Sequence, residues 1–405
     1  MKRLTLLIRP NPDDSWIGGA IYFRNLINSI RLAADVERWQ VELVIVYEDR
    51  NHLPSVDRLL PADLKRIFVS DFEDIELNRN ERSALNDVPP GPERRNLRRT
   101  FIYGRIIESV NGDLIFPYFP AGNHRLPCAV VSWVPDLQHV RLPEFFDQQE
   151  IDIRDRKYSA AAHLSDAIVL SSESARRDFH EKYSDYKTRL SILRFYTLPE
   201  VRWYEIDHRD VIRRFGLPDT YFVVSNQFWA HKNHKVVVEA LKILDSRGIK
   251  PFVVCTGGVS DNRRTGVIDG FLQQICESGL WDRFRILGQL PRIEQIQVLR
   301  GARAIIQPSL FEGWSTVLED CRTLGQEVVA SRLDVHVEQG VPGTRFFDPM
   351  NPGELAEQIE DCMNTPRPFS VEREAEARAM AEKRAIECGK NFLALAAELD
   401  ARKMK

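Results

Sequence analysis

Short apolar runs recur along this chain, and each is followed by a polar or glycine-bearing turn and then by apolar residues at helical spacing. Leu4 to Ile8 is the first run, followed by Gly18-Gly19 and by a helix pattern carrying Ile21, Leu26, Ile27 and Ile30. Further strand-like runs are Val41 to Tyr47, Ile67 to Val69, Leu114 to Phe116, Ala129 to Val134, Ala167 to Leu170 and Leu190 to Phe195. A run with no polar face has nothing to show to water, so a sheet of such strands is covered on both sides. Helices between the strands make it parallel. The alternation restarts at Tyr221 to Ser225 and continues through Phe252 to Thr256, Phe284 to Leu287, Ala302 to Gln307 and Glu327 to Ser331. Together these runs imply an α/β fold of two doubly wound domains.

A chain of 405 residues exceeds what one core normally holds, which also argues for two domains. The aromatic and charged segment Tyr196 to Arg209 marks the junction, and Glu372 to Arg402 reads as a long terminal helix. The expected boundaries are 1–200, 201–375 and a helix over 376–405. A formal net charge of −3 argues against a general nucleic-acid binder. Six scattered cysteines without a Cys-x-x-Cys pair read as free thiols in a reducing compartment. The apolar core of the N-terminus is too short for a signal peptide, and nothing approaches the ~20 residues of a membrane span. The expectation is a cytoplasmic protein, with any contact with the inner face of the membrane peripheral.

Chemistry concentrates between Pro308 and Gly325, where a buried strand leads through Phe311-Glu312-Gly313-Trp314 into a helix pattern at Val317, Leu318, Cys321 and Leu324. Ligands of parallel sheets collect at the carboxyl ends of strands, and a helix start there offers free N–H groups to an anion. Carboxylates do not bind phosphate, but they accept hydrogen bonds from sugar hydroxyls. Acids beside an anion site therefore point to a sugar nucleotide. A capping box of Thr316 with Glu319 is the alternative account of Glu319.

Phe311-Glu312-Gly313-Trp314 with Glu319 and Gly325 resembles the double-glutamate signature of retaining GT-B glycosyltransferases of the GT4 type. The resemblance implies two facing Rossmann-like domains with the C-terminal helix crossing back to the first. It assigns Glu312 to the transferred sugar and Glu319 to the ribose of the leaving nucleotide. Asp320, not Glu319, stands at the family's usual spacing, so Asp320 is the alternative ribose ligand. Lys232, in Asn226-Gln227-Phe228-Trp229-Ala230-His231-Lys232-Asn233-His234, matches the family lysine that neutralises the diphosphate, and Asn226 stands where an arginine is usual. A lysine at a helix start beyond a buried strand is a credible diphosphate ligand on physical grounds as well.

The resemblance places Gly18 and Gly19 near the donor phosphates, and Asp136 beside donor sugar and acceptor. His139 stands as a substitute for the family histidine that Pro135 replaces. Gly257 and Gly258 suit either a nucleotide base lying on the backbone or a tight turn. Gly313, Trp314, Ser315 and Thr316 complete the donor-binding set. No Asp-x-Asp pattern is present, so transfer without a metal and without a cofactor other than a UDP- or GDP-linked sugar as co-substrate is expected. The acceptor would be a saccharide or lipid-linked saccharide of cell-surface polysaccharide synthesis. The rivals are a catalytically inactive subunit that binds nucleotide or a partner protein, and a sugar-nucleotide epimerase of the same architecture. Asn78 to Arg99 reads as a polar loop before a helix starting near Thr100. Its Arg94, Arg95, Arg98 and Arg99 form either a solvated linker or an acceptor-side patch for lipid phosphate.

Overall fold

A computed structural model of the chain describes residues 2–10, 16–122, 124–261, 264, 266–366 and 370–403. The chain divides into two compact units. Residues 1–137, 148–196 and 384–405 make the first, and residues 138–147 and 197–383 make the second.

The first unit contains β1 (Arg3–Ile8), β2 (Gln40–Tyr47), β3 (Lys65–Phe68), β4 (Leu114–Phe116), β5 (Ala129–Val134), β6 (Ala167–Leu170) and β7 (Arg189–Ile192). They form one sheet in the order β3-β2-β1-β4-β5-β6-β7, parallel at every pairing. Every residue of β4, β5 and β6 is buried, as an apolar run without polar alternation requires. The chain winds outward from β1 to β3 and then returns to the other side of β1 with β4. This reversal opens a crevice at the carboxyl ends of β1 and β4.

The second unit repeats the plan with β8 (Phe222–Ser225), β9 (Val253–Thr256), β10 (Phe284–Gly288), β11 (Ala304–Gln307), β12 (Val328–Ser331) and β13 (Arg345–Phe347). Its order is β10-β9-β8-β11-β12-β13, again all parallel, and the reversal lies between β8 and β11. Successive residues of each strand feed opposite cores. Phe222 and Val224, Val253 and Cys255, and Ala304 and Ile306 enter one cluster, whereas Val223, Val254 and Ile305 enter the other. Full burial of each such side chain contributes roughly 1.5–3 kcal/mol, which is why the helices must cover both faces.

Helix Val371–Lys403 belongs to the second unit up to Lys383 and to the first from Arg384. Glu374 anchors its start through both carboxylate oxygens to Arg300, at 2.6 and 2.8 Å. Farther on, a Cβ at Gly389 would lie 2.0 Å from the Ser29 carbonyl oxygen, so only glycine allows this approach.

Two local expectations are corrected. Asn78 to Arg99 is mostly helical, with helices Arg79–Asn86 and Pro92–Val110. Asn78 accepts from the Glu81 N–H at 2.9 Å and Glu81 answers to the Asn78 N–H at 2.7 Å, a capping box in a stretch that reads as loop because its helix buries little beyond Leu85. Pro92 sits at the first helical position, where proline costs no hydrogen bond. The glycine pair is corrected too. Gly18 and Gly19 lie in the first turn of helix Ile17–Glu37, not in a loop, and the preceding Asn11 to Ser15 lies outside the described residues.

Candidate active site

The loops that leave β8 and β11 are tied to each other and to their neighbours by short hydrogen bonds. The Leu310 N–H donates to the His231 carbonyl at 2.8 Å. Asn233, left-handed at φ 54°, donates its amide to the Pro308 and Pro349 carbonyls at 3.2 and 2.9 Å. Ser331, at the end of β12, donates to the Ser309 carbonyl at 2.6 Å. The two loops therefore form one frame across the reversal of the sheet.

In that frame Lys232 Nζ lies 2.6 Å from Glu312 Oε1, with only 13 and 9% of the two side chains exposed. The same oxygen accepts from Gln307 Nε2 at 2.8 Å and from Ser309 Oγ at 2.7 Å. Gln307 Oε1 in turn accepts from Asn226 Nδ2 at 3.0 Å. Burial alone would raise Glu312. Lys232, the imidazoles of His336 and His231, and the Lys232 hydrogen bond together outweigh it and hold the carboxyl at about 2. His336 is itself lowered, first by burial and further by Lys232, against Glu312 and the Ser331 carbonyl. Neutral at neutral pH, it leaves Lys232 as the working counter-ion. Glu312 is thus a fixed acceptor, able to take hydrogen bonds and not to donate them.

His234 is not part of this charge system. It stacks on Phe228 at 4.2 Å with 15° between the planes, and neither ring nitrogen has a hydrogen-bond partner. Burial, with Lys232 adding to it, lowers it to about 3, so it is a neutral aromatic spacer. The glycines after β9 have unequal reasons. Gly257 has φ 129°, and a Cβ there would lie 2.2 Å from the Asn226 carbonyl oxygen, whereas the nearest atom to one at Gly258 is 3.6 Å away. Close passage of the Asn226 backbone accounts for Gly257.

The N-cap of helix Thr316–Leu324 lies one residue earlier than expected. Ser315 is the N-cap and its Oγ accepts from the Leu318 N–H at 3.3 Å, so Thr316 and Glu319 make no capping box. Glu319 is fully buried and accepts from Arg322 Nε at 3.1 Å and Gln339 Nε2 at 3.0 Å. Gln339 also exchanges two 3.0 Å hydrogen bonds with the Ser315 backbone. Asp320, equally buried, accepts from Thr197 Oγ1 at 2.8 Å and from both terminal nitrogens of Arg292, one of them at 2.8 Å. Arg292 Nη1 continues to Gln295, and Gln295 Nε2 donates to Ser225 Oγ at 2.8 Å, itself 2.9 Å from Thr256 Oγ1. Asp320 therefore sits in a hydrogen-bonded series reaching the carboxyl ends of β8 and β9. Glu319 is engaged with helix Asp334–Gln339. Trp314 is buried, and Gly313 and Thr316 are half-buried.

In the first unit, a Cβ at Gly19 would come within 2.6 Å of the Trp16 ring, and Trp16 stacks on Trp133, which also stacks on Tyr22 at 4.0 Å. The glycine thus makes room for an indole. Asp136 follows β5, and its charge reaches Arg154 and Tyr158. His139 is buried, belongs to the second unit and lies edge-on to Phe146 at 6.3 Å.

Residues 209–386 match the family model described as glycosyl transferases group 1. No curated protein sequence matches the chain. Among solved structures, the sucrose-phosphate synthase of Thermosynechococcus elongatus superposes with a TM-score of 0.69 at 15% identity, covering 98% of this chain and 100% of that one. HepE of Anabaena, in complex with UDP, gives 0.66 at 14% over 98 and 100%. A glycosyltransferase of Rickettsia africae gives 0.64 at 13% over 98 and 99%. Residues 209–386 are thus a glycosyltransferase group 1 domain, and the chain as a whole has the GT-B fold.

Of the residues singled out by sequence, the fold brings Asn226, Lys232 and Glu312 into one network, and gives Glu319 and Asp320 separate partners. Gln307, Ser309, His336 and Arg292 are site residues that sequence reasoning did not single out. Gln307 had a signal, as the polar end of an apolar run, and Ser309 stands three residues before Glu312. Arg292 had none, because its partner is remote in sequence. Among the described residues no group of His, Cys, Asp and Glu is arranged to hold a metal ion. No described helix is long and apolar enough to cross a membrane.

Proposed function

We propose that this chain is a GT4-type retaining glycosyltransferase that moves a hexose from a UDP- or GDP-linked donor to a saccharide or lipid-linked saccharide in cell-surface polysaccharide synthesis. The observation that carries the reading is the buried Lys232–Glu312 pair at the β8/β11 reversal. Breaking the anomeric bond places negative charge on the departing diphosphate and makes the sugar oxocarbenium-like. A lysine held in a water-poor crevice stabilises that charge without having to reorganise. Glu312, ionised through the whole physiological range, accepts from sugar hydroxyls. The neighbours HepE with UDP and HepE with UDP-glucose support a nucleotide-linked donor.

Asp320 is the ribose ligand this reading now prefers to Glu319, because its hydrogen-bonded series ends at β8 and β9. Gly18, Gly19, Asp136 and His139 stand as donor- and acceptor-contacting positions. The reading includes metal-independent transfer and attack on the same face as the leaving diphosphate, with no protein nucleophile assigned. A calorimetric panel of UDP, GDP and ADP and their sugar conjugates, with and without magnesium, tests it. One nucleotide should bind at micromolar Kd regardless of magnesium, and the Lys232→Ala variant should lose most of that affinity. Unchanged affinity in the variant would remove Lys232 from the donor site.

One observation favours a second reading. The Asn226 amide is engaged with Gln307 and brings no charge, leaving Lys232 as the cation of this network. A subunit that binds nucleotide without turnover follows from that. Nucleotide binding with no sugar product across an acceptor panel would select it.

A further inference from the structure

The reversal point of the first sheet is furnished with cations on aromatic walls. Arg9 follows β1, and its guanidinium carbon lies 5.2 Å from the Tyr103 ring centre and 5.7 Å from that of Tyr118. Phe119 follows β4, and Lys157 Nζ lies 3.8 Å from its ring centre. Arg99, from helix Pro92–Val110, and Arg154, one turn before Lys157 on helix Gln148–Leu164, complete the group.

Among the described residues counter-charge is scarce here. Glu48, just after β2, accepts from Arg9 at 3.0 Å and from Tyr103 at 2.9 Å and also pairs with Arg99, so one carboxylate serves two guanidiniums. Arg154 is matched by Glu150 at 3.0 Å and by the field of Asp136. Among the described residues Lys157 makes no ion pair, and it is held by the ring of Phe119. Its side chain reaches solvent, yet protein crowding the ammonium, and then the like charges of Arg9 and Arg154, lower it to about 8. A cation over an aromatic face, close to other cations and without a carboxylate of its own, is stabilised by an arriving anion.

Position makes this a ligand site and not merely a charged surface. Glu48, Arg9, the pair Tyr118 and Phe119, and Asp136 are delivered by the carboxyl ends of β2, β1, β4 and β5, which are adjacent in the sheet and flank its reversal. That is where ligands of open parallel sheets bind. In the transferase reading the donor diphosphate has its own cation in Lys232 of the second unit.

We propose that the acceptor carries a phosphate, as a sugar phosphate or as the head of a lipid carrier, which Arg9 and Lys157 bind while Tyr118 and Phe119 wall the sugar. This rests on the transferase reading, and it names the substrate class for the side of the reaction that reading leaves open.

The test is calorimetry on the full chain, first saturated with whichever nucleotide it binds, titrated with glucose 6-phosphate against glucose. A parallel arm measures capture by phosphatidic acid vesicles against phosphatidylcholine vesicles. One phosphorylated probe should bind well above its neutral control. Arg9→Gln and Lys157→Gln should each weaken it about tenfold, the loss of a hydrogen bond to a charged group, with nucleotide affinity and thermal melting unchanged. Lys157→Arg should retain binding. Preference for glucose 6-phosphate identifies a soluble acceptor, and vesicle capture alone, lost in the same variants, identifies a lipid carrier. No preference for either phosphorylated probe, or binding that both glutamine variants retain, overturns the proposal. Failure of the wild-type chain to bind any nucleotide would instead strike the transferase reading, and the phosphate titrations, run without nucleotide, would still be read independently.

Discussion

The two sheets reverse in the same way but furnish their reversal points with opposite electrostatics. At β8/β11 a cation and an anion are already in contact, and Glu312 Oε1 has three hydrogen-bond donors. At β1/β4, among the described residues, the guanidiniums of Arg9 and Arg99 share one carboxylate, and Lys157 has none. The first arrangement is complete without a ligand, and a ligand could enter it only by sharing partners. The second is incomplete and gains a partner when an anion arrives. One topology thus supports a pre-organised charge pair and an under-neutralised cluster, because topology fixes where the loops emerge and not which charges they carry.

The largest effect expected from breaking this contrast is at the pair itself. Lys232→Met should destabilise the fold by about 3 kcal/mol, since Glu312 would remain buried and charged. The Lys232→Met/Glu312→Gln double variant should recover much of that loss in urea unfolding. Equal losses in single and double variants would show that the two side chains do not act as a pair. Lys157→Gln, at the open cluster, should change stability by no more than a few tenths of a kcal/mol.

Gly257→Ala comes next, expected to cost roughly 1–3 kcal/mol because φ 129° and a contact with backbone leave no room to relax. Nucleotide affinity should fall with it, as Asn226 is displaced. Gly19→Ala in the first unit should cost less, about 1 kcal/mol, because what its Cβ meets is the half-exposed Trp16 side chain, which can move. Trp fluorescence should report the shift. Wild-type fluorescence in Gly19→Ala would mean that the indole does not depend on the glycine.

Acid should separate the histidines from the pair. His234 has a folded value near 3 against ~6.5 unfolded, so the unfolded chain takes up a proton first as pH falls below ~6.5. Stability should therefore decline from pH 6.5 downward, and His234→Phe should reduce the slope by up to about 1.4 kcal/mol per pH unit. Glu312 acts lower on the scale. Its folded value near 2 lies below the unfolded ~4.3, so its contribution is present above pH 4.3 and is lost as pH falls toward 2. An unchanged slope in His234→Phe between pH 6.5 and 4.5 would remove His234 as the source.

Strands β1 to β12 were legible because each lies on an apolar run bounded by turn residues, and Lys232 and Glu312 because each follows such a run closely; β13 was not, being three residues long and starting on Arg345. The helix Arg79–Asn86 was not, since it buries one residue and its capping box lies in a polar stretch rich in turn formers. Glycine was the least readable residue. Gly19, Gly257 and Gly389 look alike in sequence, yet one clears an indole, one a crossing strand end and one a helix backbone.

What this chain's sequence determined by itself is the alternation that makes two parallel sheets, because strand burial and helix spacing are written within a few neighbouring residues. Tertiary structure alone decided which acid meets which base. Glu319 and Asp320 are adjacent on one helix, and helical geometry turns consecutive side chains some 100° apart. One consequently meets Arg322 and Gln339, and the other meets Arg292 and Thr197. Arg322 is a neighbour one turn on along the same helix, but Gln339, Arg292 and Thr197 are brought in by remote segments whose positions no local pattern encodes.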